Sequence, residues 1–245
     1  MFLFMFAVTG AAALVIHLLF LLAPLKQASN RITEMSPILQ TLCGTLFVLA
    51  IAFLANAVWA TEDRAHGIVN DEALSIHTVM TYVQSMNGPP RDDLHRLTQD
   101  YARAVETEWP QMSEEAGARP SSQQIDDLYA AIIARLSEGE QNRMLQQRLL
   151  DAVDDLALAR QHRLTIAKEN VSGGQWFMVS QLGLLLLVVI AVCHGRWPVS
   201  RAVALFLITL AVSISLFVIV AHDRPFVGQN AVGPQPIMAA AGLGS

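Results

Sequence analysis

An apolar run that passes without a break into a charged, amphipathic segment largely determines the architecture of this chain. Residues 38–60 are almost wholly apolar, and apolar side chains then recur at helical spacing through residues 61–86, which contain no Pro. About 20 apolar residues are enough for a helix to cross a bilayer. The first strong helix-ending cluster is Asn87-Gly88-Pro89-Pro90. We therefore predict one helix that leaves the membrane and continues into the aqueous phase.

Three further apolar runs have roughly the length of a membrane helix. They cover Phe2–Leu22, Trp176–Cys193 and Arg201–Ala221. A composition of 53% hydrophobic and 15% charged residues is typical of a membrane protein. No Lys or Arg precedes the first run, so we interpret it as a retained helix and not as a signal peptide. The chain is therefore predicted to have four transmembrane helices.

The region between the second and third runs is predicted to be soluble and helical. From Arg91 to Glu169 apolar residues recur at helical spacing, without the alternation typical of strands. Residues 61–173 carry 19 acidic and 11 basic side chains. This acidic balance argues against nucleic acid as a partner, because phosphate binding needs clustered Lys and Arg. The predicted fold class is an all-α membrane protein with a helical soluble insert between the second and third transmembrane helices.

These boundaries divide the chain into four segments. Residues 1–60 hold the first two transmembrane helices, 61–173 the soluble region, 174–221 the last two transmembrane helices, and 222–245 a tail that we expect to be flexible. Within the soluble region, the stripe that includes Ala65, Ile76 and Val83 should face the core. The acidic residues nearby, including Glu72, are expected mostly to face elsewhere.

An enzymatic function finds no support. The sequence contains no Gly-rich phosphate loop, nucleophile elbow or paired-Cys metal motif, so we predict no catalytic residue, cofactor or metal site. His17 is the one ionisable residue of the first apolar run. It is either a neutral imidazole hydrogen-bonded to a backbone carbonyl in a helix bundle or a residue that marks a pathway or a proton site in the membrane.

Several short motifs along the chain resemble the bacterial bestrophin-like domain family. They are Asn56-Ala57-Val58-Trp59, Thr61-Glu62-Asp63-Arg64, Asn70-Asp71-Glu72-Ala73, Tyr101 with Glu108-Trp109-Pro110, Arg160 with Arg163, and Pro225-Phe226 with Gly228. Their order and spacing cover nearly the whole chain.

The resemblance implies a pentameric channel, in most bestrophins anion-conducting, with a hydrophobic neck lined by the second span. The corresponding neck candidates are Phe53, Leu49 and Thr45, which lie on one helical stripe at i, i−4 and i−8. Rings of apolar side chains can gate by dewetting. Thr45 departs from the apolar residue usual in such a neck. The alternative is that Leu49 and Phe53 are ordinary packing residues.

Polar residues beyond the neck are candidates for the pore exit or for helix packing. They are Asn56, Trp59, Glu62, Asp63 and Arg64, and Arg160 and Arg163 are membrane-proximal basic candidates. Acidic residues along the path would favour cations, whereas the arginines would favour anions. Because most bestrophins conduct anions, the resemblance leads us to expect that the conducted ions are anions.

The resemblance also implies a multi-pass protein of the bacterial inner membrane with a cytoplasmic soluble region and cytoplasmic termini. The positive charges of the short loops mildly favour the opposite orientation. Expected partners are the lipid bilayer, inorganic ions and further copies of the chain. The alternative to a channel is a non-conducting membrane scaffold or sensor whose helical body binds a partner.

Overall fold

The computed structural model describes residues 2–22, 36–112, 120–136, 140–194, 197–228 and 231–244. All regular secondary structure in these ranges is helical. The helices are α1 (Phe2–Leu22), α2 (Ser36–Gln84), α3 (Pro89–Glu108), α4 (Pro120–Arg135), α5 (Glu140–Ile166), α6 (Gly173–Cys193), α7 (Pro198–His222) and α8 (Gln235–Ala240), with a 3-10 turn at Trp109–Gln111.

Local sequence explains where several helices begin and end. After α2, Gly88 adopts a φ of 81°, a left-handed conformation that favours glycine. Pro89 then opens α3, where its missing N–H group costs nothing. α6 begins with a capping box, in which the Ser172 hydroxyl accepts from the Gln175 backbone N–H and the Gln175 side chain accepts from the Ser172 N–H.

Three helices are long and apolar enough to cross a membrane, judged by length and composition. They cover Pro37–Gln84, Gly173–Cys193 and Pro198–His222, and a shorter apolar helix covers Phe6–Leu21. The all-helical prediction is confirmed for the described residues. The use of α1 as a fourth transmembrane helix stays a prediction.

The chain forms two compact units. One comprises Met1–Trp59 and Asn170–Asp223, and the other comprises Ala60–Glu169 and Arg224–Ser245. The unbroken helix α2 contributes residues to both units. The division into four segments made from the sequence stays a prediction.

The first unit has an apolar core. α1 packs against α6 and α7, and α6 packs against α7. α2 joins this core through residues such as Leu54, and it approaches α6 at Gly183. A Cβ atom added at Gly183 would lie 3.3 Å from the ring of Phe47. A glycine at this position therefore lets the aromatic ring of α2 pack against the backbone of α6.

The second unit is built around helices α3, α4 and α5. α3 packs against α4, α4 packs against α5, and α3 also contacts α8. The buried face of α2 contributes Ala65, Val69, Ile76 and Val83, each at most 1% exposed. The apolar stripe predicted for this part of α2 therefore does face the core.

The C-terminal segment differs from the flexible tail expected from its Gly, Pro and Ala content. Phe226, Val232 and Ile237 belong to the core of the second unit. The indole Nε1–H of Trp109 donates to the Val232 carbonyl at 3.1 Å, and the Trp109 and Phe226 rings meet edge to face with centroids 5.5 Å apart. The turn-forming residues bring apolar side chains back onto the core, so this part of the chain is an integral element of the second unit.

Candidate functional site

One face of α2 stays exposed over much of the helix. Its exposed residues recur every three or four positions, which places them on one side of the helix. They are Thr45, Leu49, Phe53, Asn56, Ala60, Asp63, Gly67, Asn70 and Leu74. Phe53 is 67% exposed and Leu49 is 49% exposed, whereas Leu54 on the opposite side is 3% exposed. The three neck candidates thus share an exposed face and do not pack in the core of the protomer.

The side chains of the exit candidates differ in their exposure on α2. Asn56, Trp59, Asp63 and Arg64 are exposed, and Glu62 is half-buried. The Arg64 guanidinium lies 3.6 Å from the Glu169 carboxylate. Asp63 makes no ion pair within the described part of the chain. Its carboxylate is therefore an uncompensated charge on the exposed face.

A buried ion pair joins α2 to α5. Arg163 donates from Nε to Oε2 of Glu72 at 2.6 Å and from Nη2 to Oε1 at 3.2 Å, and both side chains are 0% exposed. The Tyr101 hydroxyl donates to the same carboxylate at 2.6 Å. The guanidinium also contacts the sulfur of Met112 and lies 5.0 Å from the Trp109 ring centroid. Three charge-assisted hydrogen bonds hold the carboxylate, which makes this a strongly directional contact.

A second ion pair lies one turn earlier on α5. Nη2 of Arg160 donates to Oε1 of Glu108 at 3.0 Å, and the Ser121 hydroxyl donates to the same carboxylate and accepts from Nε of Arg160. The Arg160 side chain is 12% exposed and that of Glu108 is 0% exposed. This pair ties α5 to α3 and α4. Both membrane-proximal basic candidates are therefore neutralised by carboxylates inside the second unit.

Burial and charge shift the ionisation of the groups in the first pair. Burial raises the pKa of Tyr101 well above its ordinary value of 10.0, and the negative charge of Glu72 raises it further. For Arg163, burial acts to lower the pKa, but the charge of Glu72 and its hydrogen bonds outweigh that effect, so the pKa rises. Tyr101 thus remains a neutral donor and Arg163 a cation throughout the physiological pH range.

The burial of Glu72 corrects the expectation that it faces away from the apolar stripe. Glu72 follows Val69 by three residues and precedes Ile76 by four, so helix geometry places it on the buried face. On α5, Arg163 likewise lies on the buried face, four residues after Ala159 and three before Ile166. A charged residue on the apolar stripe of each of two helices is the sequence signal that could have indicated the pair.

Four of the motifs that carry the family resemblance meet in this part of the second unit: those with Glu72, with Tyr101 and Glu108-Trp109, with Arg160 and Arg163, and with Phe226. We call Glu72, Tyr101, Glu108, Ser121, Arg160 and Arg163 the buried ion-pair cluster. Trp109 borders it and also binds the C-terminal segment. Side chains from widely separated motifs thus form one contact network, which explains why the motifs occur together in one chain.

The first unit holds a smaller polar contact. Nε of Arg201 donates to Nδ1 of His17 at 3.2 Å, and Arg201 is 1% exposed. An imidazole that accepts at Nδ1 is neutral and carries its proton on Nε2. The described partner of His17 is thus the Arg201 side chain, where the sequence led us to expect a backbone carbonyl. Among the described residues, no group of three or more His, Cys, Asp or Glu side chains could hold a metal ion.

Apolar helices of membrane-spanning length, together with a helical second unit stabilised by buried ion pairs, define a multi-span helical membrane protein. Residues 7–237 match the Bestrophin-like domain, and the chain belongs to the Bestrophin-like family. The family assignment made from the sequence motifs is thereby confirmed.

Solved structures agree on the fold. A bacterial bestrophin homologue from Klebsiella pneumoniae superposes with a TM-score of 0.73 at 10% identity, covering 100% of each chain. A single-residue variant of a Klebsiella pneumoniae homologue gives 0.71 at 11% identity, covering 98% of this chain and 96% of the other. At such low identity the likeness shows the bestrophin fold alone. No curated protein matches the sequence.

Proposed function

We propose that the protein is an ion channel assembled from five copies, with the exposed face of α2 lining the central axis. The carrying observation is the exposure of Leu49 and Phe53 on one side of a helix that is long and apolar enough to span a membrane. Exposed apolar side chains of a membrane helix face lipid, a neighbouring subunit or a pore, and the family resemblance favours the pore for this face of α2. The family and the fold support a pentamer by analogy.

In the assembled channel Thr45, Leu49 and Phe53 form three rings of the neck. Four residues of helix rise by about 6 Å, so the rings succeed one another at that spacing. The two apolar rings close the path by dewetting, and the Thr45 hydroxyls hold water at one side of them. Asn56, Trp59, Glu62, Asp63 and Arg64 follow at the exit or pack against neighbouring helices.

The proposed topology has four transmembrane helices, with α1 as the first. By analogy with the family, the protein is a multi-pass component of the bacterial inner membrane, with the second unit and both termini on the cytoplasmic side.

The preference for anions rests on the family resemblance. The arginines do not add to it, because Arg160 and Arg163 are buried in ion pairs and Arg64 lies beside Glu169. The sign of the conducted ion is measured directly from the reversal potential of wild-type channels under a salt gradient.

Ion flux from proteoliposomes that contain the purified oligomer tests the proposal. Phe53→Ala should raise the flux, because it removes the bulkiest side chains of the neck and so widens its narrowest ring. Val48→Ala is the matched control, since Val48 is 65% exposed on the same helix but lies about 140° around it from Phe53. No flux from folded wild-type oligomer, or equal effects of the two substitutions, would contradict the channel.

A non-conducting scaffold is the second candidate. Large apolar side chains of the second unit are exposed in the protomer, among them Leu74, Ile133 and Met144. A scaffold leaves them free to bind another protein after assembly, whereas the channel needs no such partner. Absence of flux combined with apolar side chains still accessible in the oligomer would favour this function.

A further inference from the structure

We propose that the Glu72–Arg163 ion pair positions the pore-lining helix. Through this contact Glu72 and Arg163 determine which side of α2 faces the pore axis in the neck. This inference rests on the proposed channel function and goes beyond it, because neither residue lies on the exposed face of α2. Both act through the helix that carries Leu49 and Phe53.

The directional character of the pair is the first argument. The other buried residues of α2 in the second unit, such as Val69 and Ile76, are apolar, and apolar contacts tolerate small rotations of a helix because they have no direction. The Glu72 carboxylate receives three hydrogen bonds of 2.6, 3.2 and 2.6 Å from two different helices. This buried contact restrains the rotation of α2 about its own axis more tightly than the exposed Arg64–Glu169 pair at 3.6 Å does.

The size of the effect follows from helix geometry. A helix with its side chains has a radius of about 5–6 Å, so a rotation of about 20° moves a side-chain tip by about 2 Å. That displacement breaks the hydrogen bonds of Glu72, because such bonds lose most of their strength beyond about 3.5 Å. α2 runs unbroken from Ser36 to Gln84. The same rotation therefore moves the Phe53 ring by a comparable distance.

The Glu108–Arg160 pair provides a natural control. It resembles the Glu72–Arg163 pair in charge and burial and shares α5 with it, but the hydrogen bonds described for it reach α3 and α4. Each carboxylate also accepts from one hydroxyl, that of Tyr101 or Ser121. Loss of either pair perturbs the second unit in a similar way, and only loss of the Glu72–Arg163 pair releases α2.

The test compares two double variants in the full-length oligomer. Glu72→Met with Arg163→Met removes the first pair without leaving a buried charge, and Glu108→Met with Arg160→Met does the same for the second pair. Flux per particle is one readout. The other is the distance between spin labels on Phe53→Cys, measured across the oligomer by pulsed dipolar spectroscopy after Cys43 and Cys193 have been replaced by Ala.

We expect the Glu72/Arg163 double variant to shift the label distances by about 2 Å or more and to change the flux, because dewetting depends steeply on neck radius. The Glu108/Arg160 variant should match the wild type in both readouts. The inference is overturned if the Glu72/Arg163 variant matches the wild type. It is also overturned if both variants shift the label distances equally, because equal shifts are expected when both pairs only stabilise the second unit.

The outcome separates this inference from the channel itself. A wild-type oligomer without flux contradicts the proposed function, and the label distances then still decide whether Glu72 positions α2. If the double variants fail to fold, Glu72→Asp takes their place in the label-distance measurement. This substitution keeps both charges of the pair and shortens the side chain by one methylene. Unchanged label distances in that variant would also refute the positioning role.

Discussion

Removing one member of the Glu72–Arg163 pair should destabilise the protein far more than removing both. Both side chains are 0% exposed, and the carboxylate holds three hydrogen bonds. Glu72→Met leaves the Arg163 cation buried without its counter-charge, and Arg163→Met leaves the Glu72 carboxylate buried in the same way. Each single substitution should therefore cost about 3–5 kcal/mol.

The double variant should cost much less, because no buried charge remains and two side chains of similar volume fill the space. Replacement of a buried pair by apolar residues is often neutral, so we expect its stability to lie within about 1–2 kcal/mol of the wild type. The summed costs of the single variants should then exceed that of the double variant by more than about 3 kcal/mol. Loss of helical circular dichroism during denaturant unfolding of the detergent-solubilised protein measures all four free energies. Additive costs, or single substitutions as mild as surface changes, would refute the argument.

Three further outcomes follow from individual contacts. Trp109→Phe removes the donor to the buried Val232 carbonyl, so it should cost about 1–3 kcal/mol and speed chymotrypsin cleavage after the buried Phe226, and cleavage at the wild-type rate would count against this. Because burial raises the pKa of Tyr101 above 10.0, its contribution to stability is fully present below pH 10 and is lost as the pH rises further. Tyr101→Phe should reduce that alkaline loss in unfolding experiments, and an identical pH profile would contradict it. If the exposed face of α2 lines the pore, Asp63→Asn should shift the reversal potential toward greater anion permeability, and an unchanged potential would exclude Asp63 from the path.

Hydropathy and helical periodicity were sufficient to predict the helical architecture. The apolar run that begins near Ile38 continues as one helix to Gln84 because no residue in it ends a helix, and Gly88-Pro89 ends the pattern through local conformational preference. That Phe53 and Leu49 share one face of α2 follows from their spacing alone. These features depend on neighbours a few residues apart, which a single sequence displays directly.

The ion pairs could not be predicted in the same way. Glu72 and Arg163 are brought together by the packing of α2 and α5, and no local preference records that contact. Their positions on apolar stripes indicate burial but do not identify the partner. The C-terminal segment illustrates the same limit, because its Gly and Pro residues permit either a flexible tail or the turns that place Phe226 and Ile237 in the core.

The most direct test of the account is the arrangement of α2 in the detergent-solubilised particle, observed by electron microscopy. A pentameric channel of this kind requires a five-fold ring in which α2 is the innermost helix and the Phe53 side chains converge on the axis. A monomer or dimer, or a ring in which Phe53 faces lipid or a neighbouring helix, would contradict it.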